Sequence, residues 1–122
     1  MGNKIQDKKI EKAIIKYYIE LHNMLAYQSK LKYYNENKNK IRIDAEAEIA
    51  EIERKIAEIK FKNKHFEEII DGLEDEEKTY VSLKYECKLS VTQIQDRMFI
   101  KERSYYRIRK KLLNYLSEVL CV

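Results

Sequence analysis

The 122-residue chain contains no proline and only two glycines, Gly2 and Gly72. Strand-rich folds reverse direction often, and their turns draw on these residues. A chain this poor in them is expected to be built from a few long helices. Lys, Glu, Ile, Leu, Ala and Tyr dominate, and all but Tyr and Ile favour helix intrinsically. The expected fold is therefore all-α.

Periodicity places the helices. Ile10, Ile14, Tyr17, Leu21, Met24, Gln28 and Leu31 recur at alternating steps of four and three, the a/d seam of a heptad with one polar break. Tyr18, Tyr27 and Tyr33 lie beside that seam. The wholly polar run Asn35–Lys40 reads as a loop after a helix ending near Tyr34, and Ile41 and Ile43 suggest a partly extended join. Asp44 is a good N-cap for a second helix. Its seam runs through Ala45, Ile49, Ile52, Ile56, Ile59, Asn63, Phe66, Ile70 and Leu73, with Gly72 placed to end or kink it. Two heptad helices with a short link predict an antiparallel, coiled-coil-like hairpin over residues 1–72. Pairing about the loop sets Leu31 near Ile49, Leu21 near Ile59, Ile14 near Phe66 and Tyr17 near Asn63. Two helices alone bury little surface, so a homodimer through this region is expected.

Residues 73–122 break into shorter pieces. Tyr80, Val81, Leu83 and Tyr85 mark one short helix. Ser90 and Gln93 form the capping-box pattern S-x-x-Q ahead of a helix carrying Val91, Ile94 and Met98. Phe99–Lys101 reads as a turn, and a longer helix begins near Glu102 with Tyr105, Ile108, Leu112, Tyr115, Leu116 and Val119 on its apolar side. This is the order of a helix-turn-helix domain.

Charge is distributed in blocks. Residues 1–40 carry +5, residues 41–77 carry −7 and residues 78–122 carry +6, for a net +4. From Arg97 to Lys111 there are seven cations and one acid, Glu102. A basic helix of this kind suits double-stranded DNA, where cations neutralise phosphates and side chains near the helix N-terminus reach base edges. Arg103, Ser104, Tyr106 and Arg107 are the base-edge candidates. Ser90, Arg97, Lys101, Arg109, Lys110 and Lys111 are the phosphate candidates. The competing structural reading docks the same basic face on the acidic middle of the chain.

Other classes find little support. No stretch approaches the roughly 18 apolar residues of a membrane span, and the N-terminus lacks an apolar signal core. Cys87 and Cys121 form no CxxC pair, which fits a reduced, cytoplasmic protein. His22 and His65 stand apart, whereas metal binding needs convergent ligands. No glycine loop for phosphate and no nucleophile–base set stands out, so an enzyme is not expected, nor a cofactor.

The segment from Leu73 to Leu116 resembles the region 4-like helix-turn-helix of sigma factors. It is more closely similar to the ArpU/RinA group of phage-derived transcriptional regulators. The resemblance is carried by Leu83, Lys84 and Tyr85 at a helix end, by Ser90 and Ile94, and by the run Ser104-Tyr105-Tyr106-Arg107-Ile108-Arg109-Lys110-Lys111. Four positions depart from that group's pattern. Lys101 replaces the usual serine N-cap, a loss of ~1 kcal/mol. Gln95 replaces a small alanine. Lys88 stands where glycine is usual and Phe99 where Gly, Asn or His is, and a left-handed backbone there costs ~1–2 kcal/mol. The resemblance implies a DNA-binding regulator, an activator of phage or prophage late genes, with RNA polymerase as a further partner. The alternatives are a DNA-recognising small terminase subunit, and a coiled-coil interaction protein that binds no DNA.

Overall fold

The computed structural model describes residues 4–40 and 44–120, and Ile41, Ile43 and Cys121 lie outside them. The described residues are all-α and contain no strand. Five helices follow in order: α1 (Lys4–Glu36), α2 (Ala45–Asp71), α3 (Asp75–Val81), α4 (Val91–Met98) and α5 (Glu102–Val119). Among the described residues no helix is long and apolar enough to cross a membrane. The chain forms two compact units. One spans Ile19–His65, and the other joins the chain up to Tyr18 with everything from Phe66 onward.

The Ile19–His65 unit is an antiparallel helical hairpin. Asp44 caps α2 as its sequence promises, its Oδ1 accepting from Ala47 N at 3.2 Å. Ala45, Ile49, Ile52 and Ile56 are buried, while the opposing seam residues Leu21, Met24, Gln28 and Leu31 are half-buried. Asn63 donates to Glu20 and to its own helix's Ile59 carbonyl at 3.0 Å. Lys62 Nζ lies 3.2 Å from Glu20, and Lys55 sits over the Tyr27 ring at 5.4 Å.

The second unit is built on one apolar cluster. Ile10 and Ile14 of α1, Ile70 of α2 and Leu73 join Tyr80, Val81, Tyr85, Ile94, Tyr105, Ile108, Leu112, Leu113 and Leu116 in a single core. A helix-turn-helix drawn from residue 73 onward is thus completed by residues that precede it. Each fully buried isoleucine or leucine contributes about 1.5–3 kcal/mol, so Ile10 and Ile14 are substantial parts of this core. The Tyr17 ring meets Phe66 at 4.9 Å between centroids, three positions beyond the Asn63 partner that heptad pairing predicts. The offset has a local cause. α1 continues to Glu36 and turns over residues 37–40, two residues past the expected helix end near Tyr34, which moves the point about which the helices pair.

α3, α4 and α5 pack on one another. α3 runs into a wider π-helical turn over Ser82–Glu86, in which Cys87 N reaches back to Ser82 O at 2.9 Å. Tyr85 lies buried at the end of this turn. Both arms of the capping box form at the start of α4: Ser90 Oγ accepts from Gln93 N at 3.2 Å, and Gln93 Oε1 accepts from Ser90 N at 2.9 Å.

Three tyrosines occupy the centre of this core. The Tyr80 ring lies edge-on to Tyr85 at 6.2 Å and to Tyr105 at 5.4 Å. The Tyr85 hydroxyl donates to Glu11 Oε2 at 2.7 Å. The buried Tyr80 hydroxyl makes no well-aligned hydrogen bond among the described residues, although the Tyr85 and Tyr105 hydroxyls lie beside it. The two hydroxyls should therefore respond unequally to removal. Tyr80→Phe keeps the rings and deletes a poorly aligned hydroxyl, and is expected to change stability by less than ~1 kcal/mol. Tyr85→Phe strips a charged acceptor of its donor and is expected to cost about 1.5–3 kcal/mol. Urea melts of both variants check this, and a larger loss for Tyr80→Phe than for Tyr85→Phe would contradict it.

Candidate nucleic-acid interface

The basic helix is held by its apolar side. Tyr105, Ile108, Leu112, Leu113 and Leu116 of α5 are buried, which fixes the direction of everything between them. Arg103, Tyr106, Arg107 and Lys110 follow one another at steps of three, one and three, so they share one stripe of the helix. All four are exposed, and Ser104 beside them is half-buried. Tyr106 is 49% exposed, and its ring is braced edge-on against buried Tyr105 at 4.9 Å. The aromatic is thereby presented in a fixed place rather than left loose.

The cations divide into two classes. Among the described residues Arg97, Lys101, Arg103 and Lys110 make no ion pair, and all four are exposed. The other three are engaged by acids of the same chain. Arg109 Nη2 donates to Glu11 Oε1 at 3.1 Å, with both side chains less than one-third exposed. Glu11 is the same carboxylate that accepts from Tyr85. Burial works against the Arg109 charge, but Glu11 and the adjoining tyrosines outweigh it and its pKa rises. Burial likewise pushes the Tyr85 hydroxyl up, reinforced by its bond to Glu11. The resulting Tyr85–Glu11–Arg109 chain ties α1 to α5.

Lys111 Nζ donates to Glu74 Oε2 at 2.9 Å and lies 3.9 Å from Glu77. Glu77 is almost wholly buried, and burial raises its carboxyl pKa while Lys111 pulls it down. These residues line a cleft of about 200 Å³ with Gly72, Leu73 and Tyr115. Arg107 Nη2 meets Glu76 Oε1 at 3.3 Å, and both side chains are about half exposed. Such exposed pairs contribute little, about 0–1 kcal/mol, so Arg107 is held in place only loosely. The acids that meet the basic helix are thus Glu11 and the short run Glu74–Glu77.

The two ends of α4 complete the surface. Ser90 is exposed. Its Oγ accepts in the capping box, which leaves its own hydroxyl proton free to donate outward. Arg97 sits in the last turn of α4, where a cation opposes the negative end of the helix dipole. Phe99 ends the helix in the left-handed region, at φ 55° and ψ 45°. It is held there by Phe99 N on Asp96 O at 3.4 Å and Ile100 N on Gln95 O at 3.0 Å. Lys88, in the turn before α4, is left-handed as well, with φ 58°. Both sit where the sequence pattern calls for glycine-like residues, and each position costs ~1–2 kcal/mol in strain. Lys101 is the N-cap of α5 and offers no side-chain cap, as its lysine identity implies. The first N–H groups of α5 therefore lack that side-chain acceptor.

Glu11, Glu74, Glu76 and Tyr85 were not among the sequence candidates. Glu11 lies 98 residues from Arg109, and no spacing in the sequence signals such a pair. The Glu74–Glu77 run was visible as the end of the acidic block, but not its alignment with Arg107 and Lys111. Among the described residues no group of His, Cys, Asp and Glu is arranged to hold a metal ion.

No curated protein and no solved structure matches the chain significantly. A family model does match, over residues 33–117, from the last turns of α1 to near the end of α5. The chain belongs to that family, described as proteins of unknown function, DUF1492.

Proposed function

We propose that this protein is a sequence-specific, double-stranded DNA-binding transcriptional regulator whose recognition helix is α5. The observation that carries the reading is the set of unpaired cations, Arg97, Lys101, Arg103 and Lys110, around the N-terminal half of a helix anchored as the third element of a helix-turn-helix. Arg103, Ser104, Tyr106 and Arg107 are the residues for base edges, and Arg97, Lys101, Lys110 and Ser90 those for phosphate. The resemblance of Ser104–Lys111 to ArpU/RinA-type recognition helices, and of the domain to sigma region 4, supports a phage or prophage regulator acting in the cytoplasm with RNA polymerase. The hairpin is the proposed homodimer surface. It leaves Ile19, Leu25 and Tyr33 more than half exposed, apolar area that a partner helix would cover.

The paired cations favour a second reading, an interaction protein whose basic helix serves its own fold. Binding to random duplex DNA, measured by fluorescence anisotropy across a salt series, separates the two. Each phosphate contact lowers log affinity by about 0.9 per log salt. Lys101→Ala with Lys110→Ala is expected to flatten the slope by about two such steps without changing the melting temperature. Arg109→Ala is expected to lower stability, because it leaves Glu11 half-buried and without its cation. Absence of binding at about 50 mM salt by the folded protein, where non-specific contacts are strong, would favour the interaction-protein reading.

The pairs with Glu74 and Glu76 make a separate prediction. If phosphate and these carboxylates compete for Lys111 and Arg107, Glu74→Gln with Glu76→Gln raises affinity for random duplex several-fold. It also steepens the salt slope by up to about two phosphate equivalents. An unchanged slope in the same titration would mean that neither cation reaches DNA.

A further inference from the structure

Phe99 is the most exposed large apolar side chain among the described residues, at 94%, and it is also one of their two left-handed non-glycine residues. Its position therefore carries two costs at once. Glycine or asparagine would relieve the backbone strain at a helix C-cap, and any polar residue would end the exposure. Nothing in the fold uses the ring, since it lies outside the core that Met98 and Ile100 on either side pack against. A ring left in water beside unpaired cations, where the fold does not need the side chain, suits a contact made outside the molecule.

The surroundings indicate what that contact is. Arg97, Lys101 and Arg103 all lie within four positions of Phe99 and make no ion pair among the described residues, although Asp96 and Glu102 stand in the same stretch. The 18-residue α5 opens three residues after Phe99, and its N-cap residue, Lys101, supplies no side-chain cap. Cations and an open helix N-terminus favour a phosphate. An aromatic ring set among them favours the apolar part of the same polymer. In a helix-turn-helix the N-terminal residues of the recognition helix enter the major groove, and four residues of chain separate Phe99 from Arg103 by no more than about 14 Å. In that groove the apolar feature available is the thymine 5-methyl group.

We infer that Phe99 is a specificity-determining residue, its ring packing on the 5-methyl group of one thymine at the edge of the site that α5 reads. This rests on the DNA-binding reading and adds a base preference to it.

The test uses the full chain and a duplex enriched from a random pool by wild-type protein. Each thymidine of that duplex is replaced in turn by deoxyuridine, which deletes the methyl group alone. Wild type is expected to lose about fivefold in affinity at one position. Phe99→Gly is expected to melt higher by roughly 3–6 °C, to bind the enriched duplex about fivefold more weakly, and to be indifferent to deoxyuridine at that position. Random duplex should bind both proteins equally. Phe99→Leu, which keeps an apolar side chain, should retain part of the discrimination. The inference is overturned if no position discriminates. It is also overturned if Phe99→Gly loses as much as wild type at the same position, which would assign the methyl contact to another residue. Unchanged DNA binding by Phe99→Gly with lost co-elution of RNA polymerase would place the ring on a protein partner and likewise overturn it. Failure of wild type to bind or enrich any duplex is a different result and removes the DNA reading itself.

Discussion

The carboxylate of Glu11 is the point on which the arrangement of the helix-turn-helix depends. It accepts from Tyr85 at 2.7 Å and from Arg109 at 3.1 Å, and so joins α1, the end of the π-helical turn and α5. The apolar core around it is nearly non-directional: Ile10, Ile14, Ile108 and Leu112 are fully buried, and burial rewards area rather than orientation. A charge-assisted hydrogen bond with two anchored partners sets orientation. Tyr85 is fixed by ring packing on Tyr80, so Glu11 and then Arg109 are fixed in turn. Losing the carboxylate would leave Arg109 half-buried without an anion, and breaking one side of such a pair costs more than the pair contributes when intact.

This explains why the basic helix can carry so many cations without disrupting its own domain. The seven cations between Arg97 and Lys111 are not equivalent. Arg109 and Lys111 lie toward acids that belong to the fold, and their charges are largely spent there. Arg107 occupies an intermediate place, since its pair with Glu76 is solvent-exposed and weak enough to be exchanged. Arg103 and Lys110 share the outward stripe and meet no acid among the described residues. A net charge taken from the sequence therefore overstates the field this helix offers to an outside partner, and the unpaired subset is the better measure of it.

Much of the fold was legible because heptad spacing and capping chemistry are local. Ile10, Ile14 and Tyr17 on α1, Ala45, Ile49, Ile52, Ile56 and Ile70 along α2, and Leu73 just beyond it are buried as their spacing indicates. Asp44 and Ser90 cap the helices they precede. The register was less legible. Periodicity fixes which face is buried but not which residue lies opposite, and extending α1 to Glu36 moved Tyr17 onto Phe66. Within the candidate site, burial of Tyr105 and Ile108 and exposure of Arg103 and Tyr106 followed from 100° spacing. The commitment of Arg109 to Glu11 did not, because a contact across 98 residues is a property of tertiary packing alone. The two left-handed residues lie between these cases. A missing glycine in a pattern can be read from sequence, but whether the backbone then avoids or accepts the strain cannot.

Lys88 and Phe99 show how accepted strain can be interpreted. Both have φ near 55–58°, and both sit at the edges of α4, whose capping box is fully formed. The left-handed turns flank α4, which packs on α5 and contributes Ile94 to the core that Tyr105 and Ile108 share. Relaxing either turn would redirect α4 relative to α5. The backbone conformation is therefore explained by the core. The side-chain identity is not, since any residue at position 99 would meet the same backbone demand and glycine would meet it at least cost. At Lys88 the exposed side chain is polar and its exposure costs little. At Phe99 an exposed ring is added to the strain. Core packing accounts for the turn at Phe99 but not for the ring, which lies outside the core.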